Sequence, residues 1–564
     1  MVTILGISAF YHDSAACIIQ DGKIIAAAQE ERFSRIKHDK SYPYKAIEYC
    51  LKEIGNKSVD AIVFYENPSL KYDRVYKTLK SYPQTFSTFI KALKSQKKKI
   101  KLVNSMHHVD HHMSHAASAF YPSPFKESVI VTLDGVGEWD TTTISLGVDN
   151  KINLITSLEF PNSLGMLYSA FTYYCGFKVN NGEYKLMGLA PYGTPKYYDK
   201  IINNLIDLKP DGSFALNLDY FGFHNSDTVI NEKFESLFDI PRRLPESEMK
   251  KEYTDIAASI QLVTEEIVYN ICKYAQQITG KSNLCLAGGV ALNCVANGKL
   301  QESKLFKNIW IQPAAGDAGG AIGAALQYYY SLGNKRKINQ NDSMQSAYLG
   351  PSYDNEILPF LKNNKIKYKK LSIPKVASYL ADEKVIGWFQ GRMEFGPRAL
   401  GHRSILGDAR SKKMQSIMNL KIKFRESFRP FAPIVLKEDC KKYFNLDIDS
   451  PYMLLVSKVS KEILKPNKKP KSFDLIKHVN IERSELPAIT HVDNSARIQI
   501  IDKNNDKLYS LLKSFKKKTN SGVLINTSFN VRGEPIVCTP MDAYNCFITS
   551  GMDYLVLGDY IIKK

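Results

Sequence analysis

Residues 3–29 read TILGISAFYHDSAACIIQDGKIIAAAQ. Three short apolar runs, TILGIS, AACIIQ and KIIAAAQ, are separated by the polar turn AFYHDS and by Asp21-Gly22. An Asp-Gly pair between apolar runs predicts a tight hairpin, because both residues accept the positive φ that such a turn demands. The same order of strand, Gly/Asp-rich turn and strand returns in VIVTLDGVGEWDTTTISLGV at 129–148, which predicts an internal duplication. Further on, SNLCLAGGVALNCVAN (282–297) reads as a buried strand, a Gly288-Gly289 turn and a helix start, and PAAGDAGGAIGAAL (313–326) repeats the glycine turn. Such turns aim backbone N–H groups and a helix N-terminus toward an anion. The fold class expected is α/β.

The chain turns polar at GNKRKINQNDS (333–343), which offers little to pack. A domain at 1–335, a linker at 336–345 and a second domain at 346–564 are therefore expected. In the second half, PKVASYLADEK reads as a helix feeding the strand VIGWFQG, and SGVLINTSF as a later strand. The Lys/Pro-rich stretch 460–487 reads as a long surface excursion or lid.

A chain of 564 residues exceeds what one core usually supports, and 44% hydrophobic with 24% charged residues is a globular composition. The first residues lack a basic stretch and place His12 and Asp13 where a signal peptide needs an apolar run. Nine scattered cysteines, never spaced CxxC, fit neither a disulfide framework nor a zinc ribbon, so a reducing cytoplasm is expected. The net charge of +19 is compatible with nucleic acid, a membrane surface or anionic small substrates. Much of it sits in lysine runs near 97–99, 465–471 and 516–518, which read as solvated surface.

The densest chemical signal is HHVDHHMSHAASAF, with five of the eleven histidines (His107, His108, His111, His112 and His115) within nine residues. On a helix His111 and His115 share a face, the spacing that supplies two metal ligands, with His107 and His108 one turn earlier. Carboxylates must complete such a set. Asp134 and Asp317 both sit in Gly-rich turns at expected strand ends, where loops converge in an α/β fold, and two imidazoles with carboxylates suit Fe(II) or Zn better than Mg. A satisfied cluster without a metal is the competing reading. His12 in the first turn, with Asp13 to orient it, has a pKa suited to a general base, although a lone turn histidine is more often structural.

In the second half, FQGRMEFGPRALGHRSIL sets Arg392, Arg398 and Arg403 among glycines, and KIKFRESFRPFAP adds Lys421, Lys423, Arg425 and Arg429. Together they predict a basic pocket for phosphate or carboxylate. LINTSFN adds Asn526, Ser528 and Asn530 after a strand, and no Walker A sequence occurs.

These segments resemble a known family: ILGISAFYHDSAACII, EERFSRIKHD, HHMSHAASAFYPSPF, LDGVGEWDTTT, NGEYKLMGLAPYG, LAGGVALN, GDAGGAIGAA, GRMEFGPRALGHRSIL, FRESFRPFAP and NTSFNVRGEP are similar to the O-carbamoyltransferases of the nodulation-factor and tobramycin type. The resemblance runs from the first strand to near the last residue. It implies an actin-like ATPase domain of duplicated ribonuclease H-like type, followed by a threonylcarbamoyl-AMP synthase-like α/β domain. It further implies that carbamoyl phosphate and ATP, the latter with Mg(2+), yield carbamoyl-adenylate, with Lys423, Arg425, Ser528 and Asn530 matching a K-x-R and S-x-N pattern and Arg398, Arg429 and Asn526 lining the same pocket. By the same resemblance His111, His115, Asp134 and Asp317 match iron ligands and His12 matches the base. Lys37, Gly165, Gly289 and Asn293 fall where the family contacts the intermediate. The expected acceptor is a small hydroxyl compound such as a sugar, an aminoglycoside-like molecule or a polysaccharide precursor. Its identity stays open, as does a homodimer. Two rival readings are a tRNA-threonylcarbamoylating enzyme, which needs an RNA-sized positive face, and a nucleotide-sensing regulator without catalysis. Lysines spread over distant segments make nucleic acid an unfavoured partner, and no membrane association is expected.

Overall fold

In the computed structural model, which describes residues 1–79, 102–226, 228–424, 428–466 and 473–564, the chain divides into two compact units. The first comprises Met1–Glu30 and His38–Gln345, the second Glu31–Lys37 and Ser346–Lys564. The lysine run at 94–101, most of that at 465–471, and Arg425 lie outside the described residues.

The first unit opens with β1 (Thr3–Ser8), β2 (Ala15–Gln20) and β3 (Lys23–Gln29), an antiparallel meander whose second turn is Asp21-Gly22 with both φ positive, at 47° and 76°. Then β4 (Val59–Phe64) and β5 (Leu102–His108) add in parallel, so the sheet runs β3-β2-β1-β4-β5. The pattern repeats with β6 (Glu127–Leu133), β7 (Asp140–Val148) and β8 (Lys151–Glu159) as the meander. A small hairpin of β9 (Ile206–Leu208) and β10 (Phe214–Leu216) intervenes before β11 (Asn283–Ala287) and β12 (Asn308–Ile311) complete the order β12-β11-β6-β7-β8. Two sheets with the same order and the same mixture of antiparallel and parallel pairing are the duplicated ribonuclease H-like arrangement of the actin-like fold.

Two helices form the layer between these sheets. His111–Phe120 packs on β6, β7 and β11, Asp317–Ser331 packs on β1, β2 and β4, and the two helices pack on each other. Small side chains make the approach possible: a Cβ on Gly323 would lie 1.7 Å from the Ser114 carbonyl oxygen. The segment 336–345, expected as linker, is held against this unit. The Arg336 guanidinium donates to the carbonyls of Phe120, Tyr121, Ser123 and Phe125, and the Ser343 N–H donates to the Pro122 carbonyl.

The second unit is built on β13 (Lys369–Lys370), β14 (Ile386–Phe389), β15 (Arg403–Asp408), β16 (Ala432–Leu436), β17 (Leu455–Lys458), β18 (Ser495–Ile501), β19 (Val523–Ser528), β20 (Tyr554–Leu557) and β21 (Tyr560–Lys563). They form one nine-stranded sheet in the order β13-β21-β20-β14-β15-β19-β16-β18-β17. Helices Ile373–Ala381 and Asp506–Thr519 cover it through Val376, Leu380, Leu508, Leu511 and Phe515, which meet Trp388, Leu406, Leu524 and Val556 in the core. The short segment Glu31–Lys37 belongs here: Arg35 donates to the carbonyls of Pro535 and Ile536 at 2.9 and 2.7 Å, and Phe33 packs against Met393, Ala399, Ile536 and Cys538. In the 460–487 stretch, Ile463, Arg483, Ser484 and Leu486 are buried, so its described parts are anchored at both ends. All nine cysteines are free and buried, and no helix among the described residues is long and apolar enough to cross a membrane.

Candidate functional site

The helix His111–Phe120 starts at its first histidine, and the four-residue step brings His115 onto the same face one turn later. Their Nε2 atoms are 3.0 Å apart. Asp134 follows the last residue of β6 and places Oδ2 3.1 Å from His111 Nε2 and 3.5 Å from His115 Nε2. Asp317, the first residue of its helix, places Oδ1 3.7 and 3.8 Å from the same two nitrogens. All four residues are buried, and Asp317 Oδ1 has no hydrogen-bond partner. Bonds of about 2.1 Å to a tetrahedral metal set ligand separations at roughly 3.4 Å. The separations observed bracket that value, so the set fits a divalent transition metal.

Surrounding groups fix these side chains. Asp134 Oδ1 accepts the Gly289 N–H at 2.8 Å, and Gly165 sits so close to the same loop that a Cβ would lie 2.7 Å from the Asp134 carbonyl oxygen. Both Glu138 oxygens accept the His111 N–H at 3.0 Å, capping the helix that the Asp110 side chain leaves uncapped. Asn293 caps the next helix by accepting the Ala296 N–H, while its amide and that of Gln261 bond each other reciprocally.

His12 projects from the β1–β2 turn, with Nε2 3.8 Å from Asp317 Oδ2 and Nδ1 3.1 Å from Asp13 Oδ2. Asp13 Oδ1 in turn lies 2.9 Å from His38 Nδ1. Burial opposes a charge on His12, but Asp317, the hydrogen bond with Asp13 and Asp134 together raise its pKa to about 10. His111 is likewise disfavoured as a cation by burial, and the hydrogen bond with Asp134 and the charge on Asp317 raise it to about 9.

The structure separates the histidine cluster. His107 and His108 lie on β5 rather than one turn earlier on the helix, because the chain turns at Val109-Asp110 before the helix begins. His107 Nε2 is 2.9 Å from the Tyr328 hydroxyl, and His112 Nδ1 is 2.6 Å from Thr132 Oγ1, which ties both to structural partners. Glu138 and His38 went unread in the sequence, although both lie inside motifs quoted there, because nothing in spacing alone says that a carboxylate will meet a distant helix end.

In the second unit, Lys423 ends the segment Met418–Lys423 and is buried. Its ammonium donates to Asn530 Oδ1 at 2.9 Å, to Ser528 Oγ at 3.2 Å, and to the carbonyls of Ser528 and Asn530. Asn526, two residues earlier on β19, donates to Gln499 and to the Ala399 carbonyl beside Arg398. Arg429 is buried, with its carbonyl accepting from Asn419. Two arginines of the expected basic pocket have other employment. Arg403 is fully buried, donates to the carbonyls of Pro351, Gln390 and Gly391, and stacks 3.6 Å over Phe389, while Arg392 donates to the carbonyls of Leu349 and Gly350. Lys37 falls in the segment of the second unit.

A duplicated actin-like unit with a buried two-histidine, two-aspartate cluster is thus followed by an α/β unit with a buried lysine among amides and hydroxyls. Residues 3–326 match the family described as Carbamoyltransferase N-terminus, and residues 377–564 match Carbamoyltransferase C-terminus. The chain belongs to the carbamoyltransferase family and is an enzyme of that type. It is 54% identical to the uncharacterized protein sll1178 of Synechocystis, over 100% of this chain and 97% of that protein. It is 36% identical to the nodulation protein NolNO of Sinorhizobium fredii, over 98% of this chain and 79% of that one. A 3'-hydroxymethylcephem-O-carbamoyltransferase of Amycolatopsis lactamdurans is 26% identical, with 97% of each chain covered.

Proposed function

We propose that this carbamoyltransferase converts carbamoyl phosphate and ATP into carbamoyl-adenylate in its second unit and transfers the carbamoyl group to a hydroxyl of a small sugar-like acceptor in its first. In the activation step carbamoyl phosphate loses phosphate to water, the carbamate oxygen attacks the α-phosphate of ATP supplied as its Mg(2+) complex, and pyrophosphate leaves. Lys423, held by Ser528 and Asn530, balances the negative charge that builds up there. Arg398, Arg429 and Asn526 complete this pocket.

In the transfer step the acceptor oxygen bonds to the carbamoyl carbon, AMP departs, and His12 Nε2 takes the hydroxyl proton while Asp13 holds Nδ1. His111, His115, Asp134 and Asp317 would hold the metal, with iron(II) the ion favoured by the ligand set. When bound, a divalent ion polarises the carbamoyl carbonyl and cancels the carboxylate charge that keeps His12 protonated. Gly165, Gly289 and Asn293 line the loops around Asp134 where the adenylate is held.

The observation that supports this reading is the approach of His12 to Asp317, a residue of the candidate metal set, since a proton acceptor there would stand beside a bound ion. The test is incubation of the metal-loaded protein with carbamoyl-labelled carbamoyl phosphate, ATP and a panel of sugars, following pyrophosphate and labelled product. Acceptor-dependent product with one pyrophosphate per transfer is expected, and product formed without ATP would refute the adenylate route.

A further inference from the structure

One buried cation in the first unit has no hydrogen-bond or ion-pair partner among the described residues. Arg74, on the helix Pro68–Leu79, is only 7% exposed, yet its guanidinium makes no hydrogen bond or ion pair with any described residue, and its Nε is closed off from solvent. The two carboxylates that could have paired with it are committed elsewhere. Glu66 grips the Lys71 ammonium through both oxygens, at 2.7 and 2.8 Å, and Glu138 accepts the N–H groups of Asn67 and His111. What Arg74 does touch is the face of Phe160, 5.6 Å away. Only the Arg74 Nε is sealed and unbonded while the two Nη groups reach solvent, so an anion arriving on that side would supply the acceptors that the protein does not.

Its surroundings locate that ligand. Tyr11 lies with its ring 5.5 Å from the ammonium of Lys71, which is three residues before Arg74 on the same helix, and 5.1 Å from the His12 ring. The Tyr11 hydroxyl faces Gly135, 3.9 Å from where a Cβ there would stand, in the loop that begins with Asp134. Tyr11 therefore bridges from the Arg74 side to the side of the metal cluster where His12 stands. Since Lys71 is neutralised by Glu66, Arg74 is the cation left to recognise something, and its planar fork matches a carboxylate or phosphate through two parallel N–H donors.

We propose that Arg74 anchors an acceptor subsite beside Tyr11 and His12, and that the acceptor carries an anionic group, a carboxylate or a phosphate, that binds there. The assignment of this ligand as the acceptor rests on the transfer reading given above, whereas the anion subsite itself does not.

Titration calorimetry on the full-length, metal-loaded protein tests it with four matched sugars: glucose, glucosamine, glucose 6-phosphate and glucuronate. At least one of the two anionic sugars should bind tenfold or more tighter than glucose, and which one does so distinguishes phosphate from carboxylate. Arg74→Met should erase that preference, and Arg74→Lys should restore part of it. Arg74→Met should also unfold at a temperature no lower than the parent, because it removes an unpaired buried charge. Equal binding of neutral and anionic sugars, or a preference that survives Arg74→Met, overturns the proposal. So does a lowered unfolding temperature in Arg74→Met, which would mark Arg74 as a structural counter-charge to Glu66 and Glu138. If the anion preference follows Arg74 but no sugar is ever carbamoylated, the subsite stands and the transfer reading fails.

Discussion

The two imidazole nitrogens of His111 and His115, 3.0 Å apart and ringed by carboxylates, have lone pairs that a single proton cannot satisfy as well as a cation can. His115→Ala removes one of the four proposed ligands from a fully buried position, so bound metal should fall to background while far-ultraviolet circular dichroism stays at the parent level. Stoichiometric metal by elemental analysis in that folded variant would exclude His115 as a ligand. His12 contacts the set only through Asp317, so His12→Asn should keep the metal and pyrophosphate release but slow carbamoyl transfer by about 10²–10⁴-fold, the usual contribution of a general base. Paired assays with and without acceptor check this, and equal losses in both would make His12 a structural residue of the first turn.

One element, the helix His111–Phe120, carries both histidines, and its placement depends on contacts at each end and along its side. Glu138 accepts its first N–H, and Arg336 gathers the carbonyls that its C-terminus and the following turn leave open, each in the sense the helix dipole favours. Arg336→Met removes the guanidinium donors from those carbonyls, of which that of Phe120 keeps Ser123 as a donor, and should cost about 2–3 kcal/mol in urea unfolding of the first unit. A change below about 0.5 kcal/mol would show that water replaces the guanidinium at no loss. Along its side the helix meets Asp317–Ser331 at Gly323, where the neighbouring backbone oxygen belongs to Ser114, the residue before His115. Gly323→Ala must therefore push the two helices apart, with roughly 1–3 kcal/mol of destabilisation and weakened metal binding, since one helix carries His115 and the other Asp317. Metal retention equal to the parent in a chelator competition would mean that the helices yield elsewhere.

At the scale of the molecule, two units with separate sheets and cores carry two candidate centres, so the centres should fail independently. Lys423→Ala should abolish pyrophosphate release from ATP and carbamoyl phosphate with metal content unchanged, and His115→Ala should do the reverse; a shared loss in both variants contradicts the division of labour. The repeated strand-turn-strand pattern of residues 3–29 and 129–148 was legible in the sequence because alternate faces of short sheets and an Asp-Gly turn impose local rules on residue type. The four-residue step from His111 to His115, and the glycine turns holding Asp134 and Asp317, were legible for the same reason, since helix period and tight turns are properties of neighbours along the chain. Tertiary structure alone decided that His107 and His108 leave the set, that Arg403 and Arg392 bind carbonyls, that Glu31–Lys37 joins the second unit, and that Arg74 is buried without a hydrogen-bond partner among the described residues. Each of those outcomes depends on which carbonyl, carboxylate or ring arrives from a segment far away in sequence, and a charge or an imidazole carries no local mark of the partner that packing will bring to it or withhold.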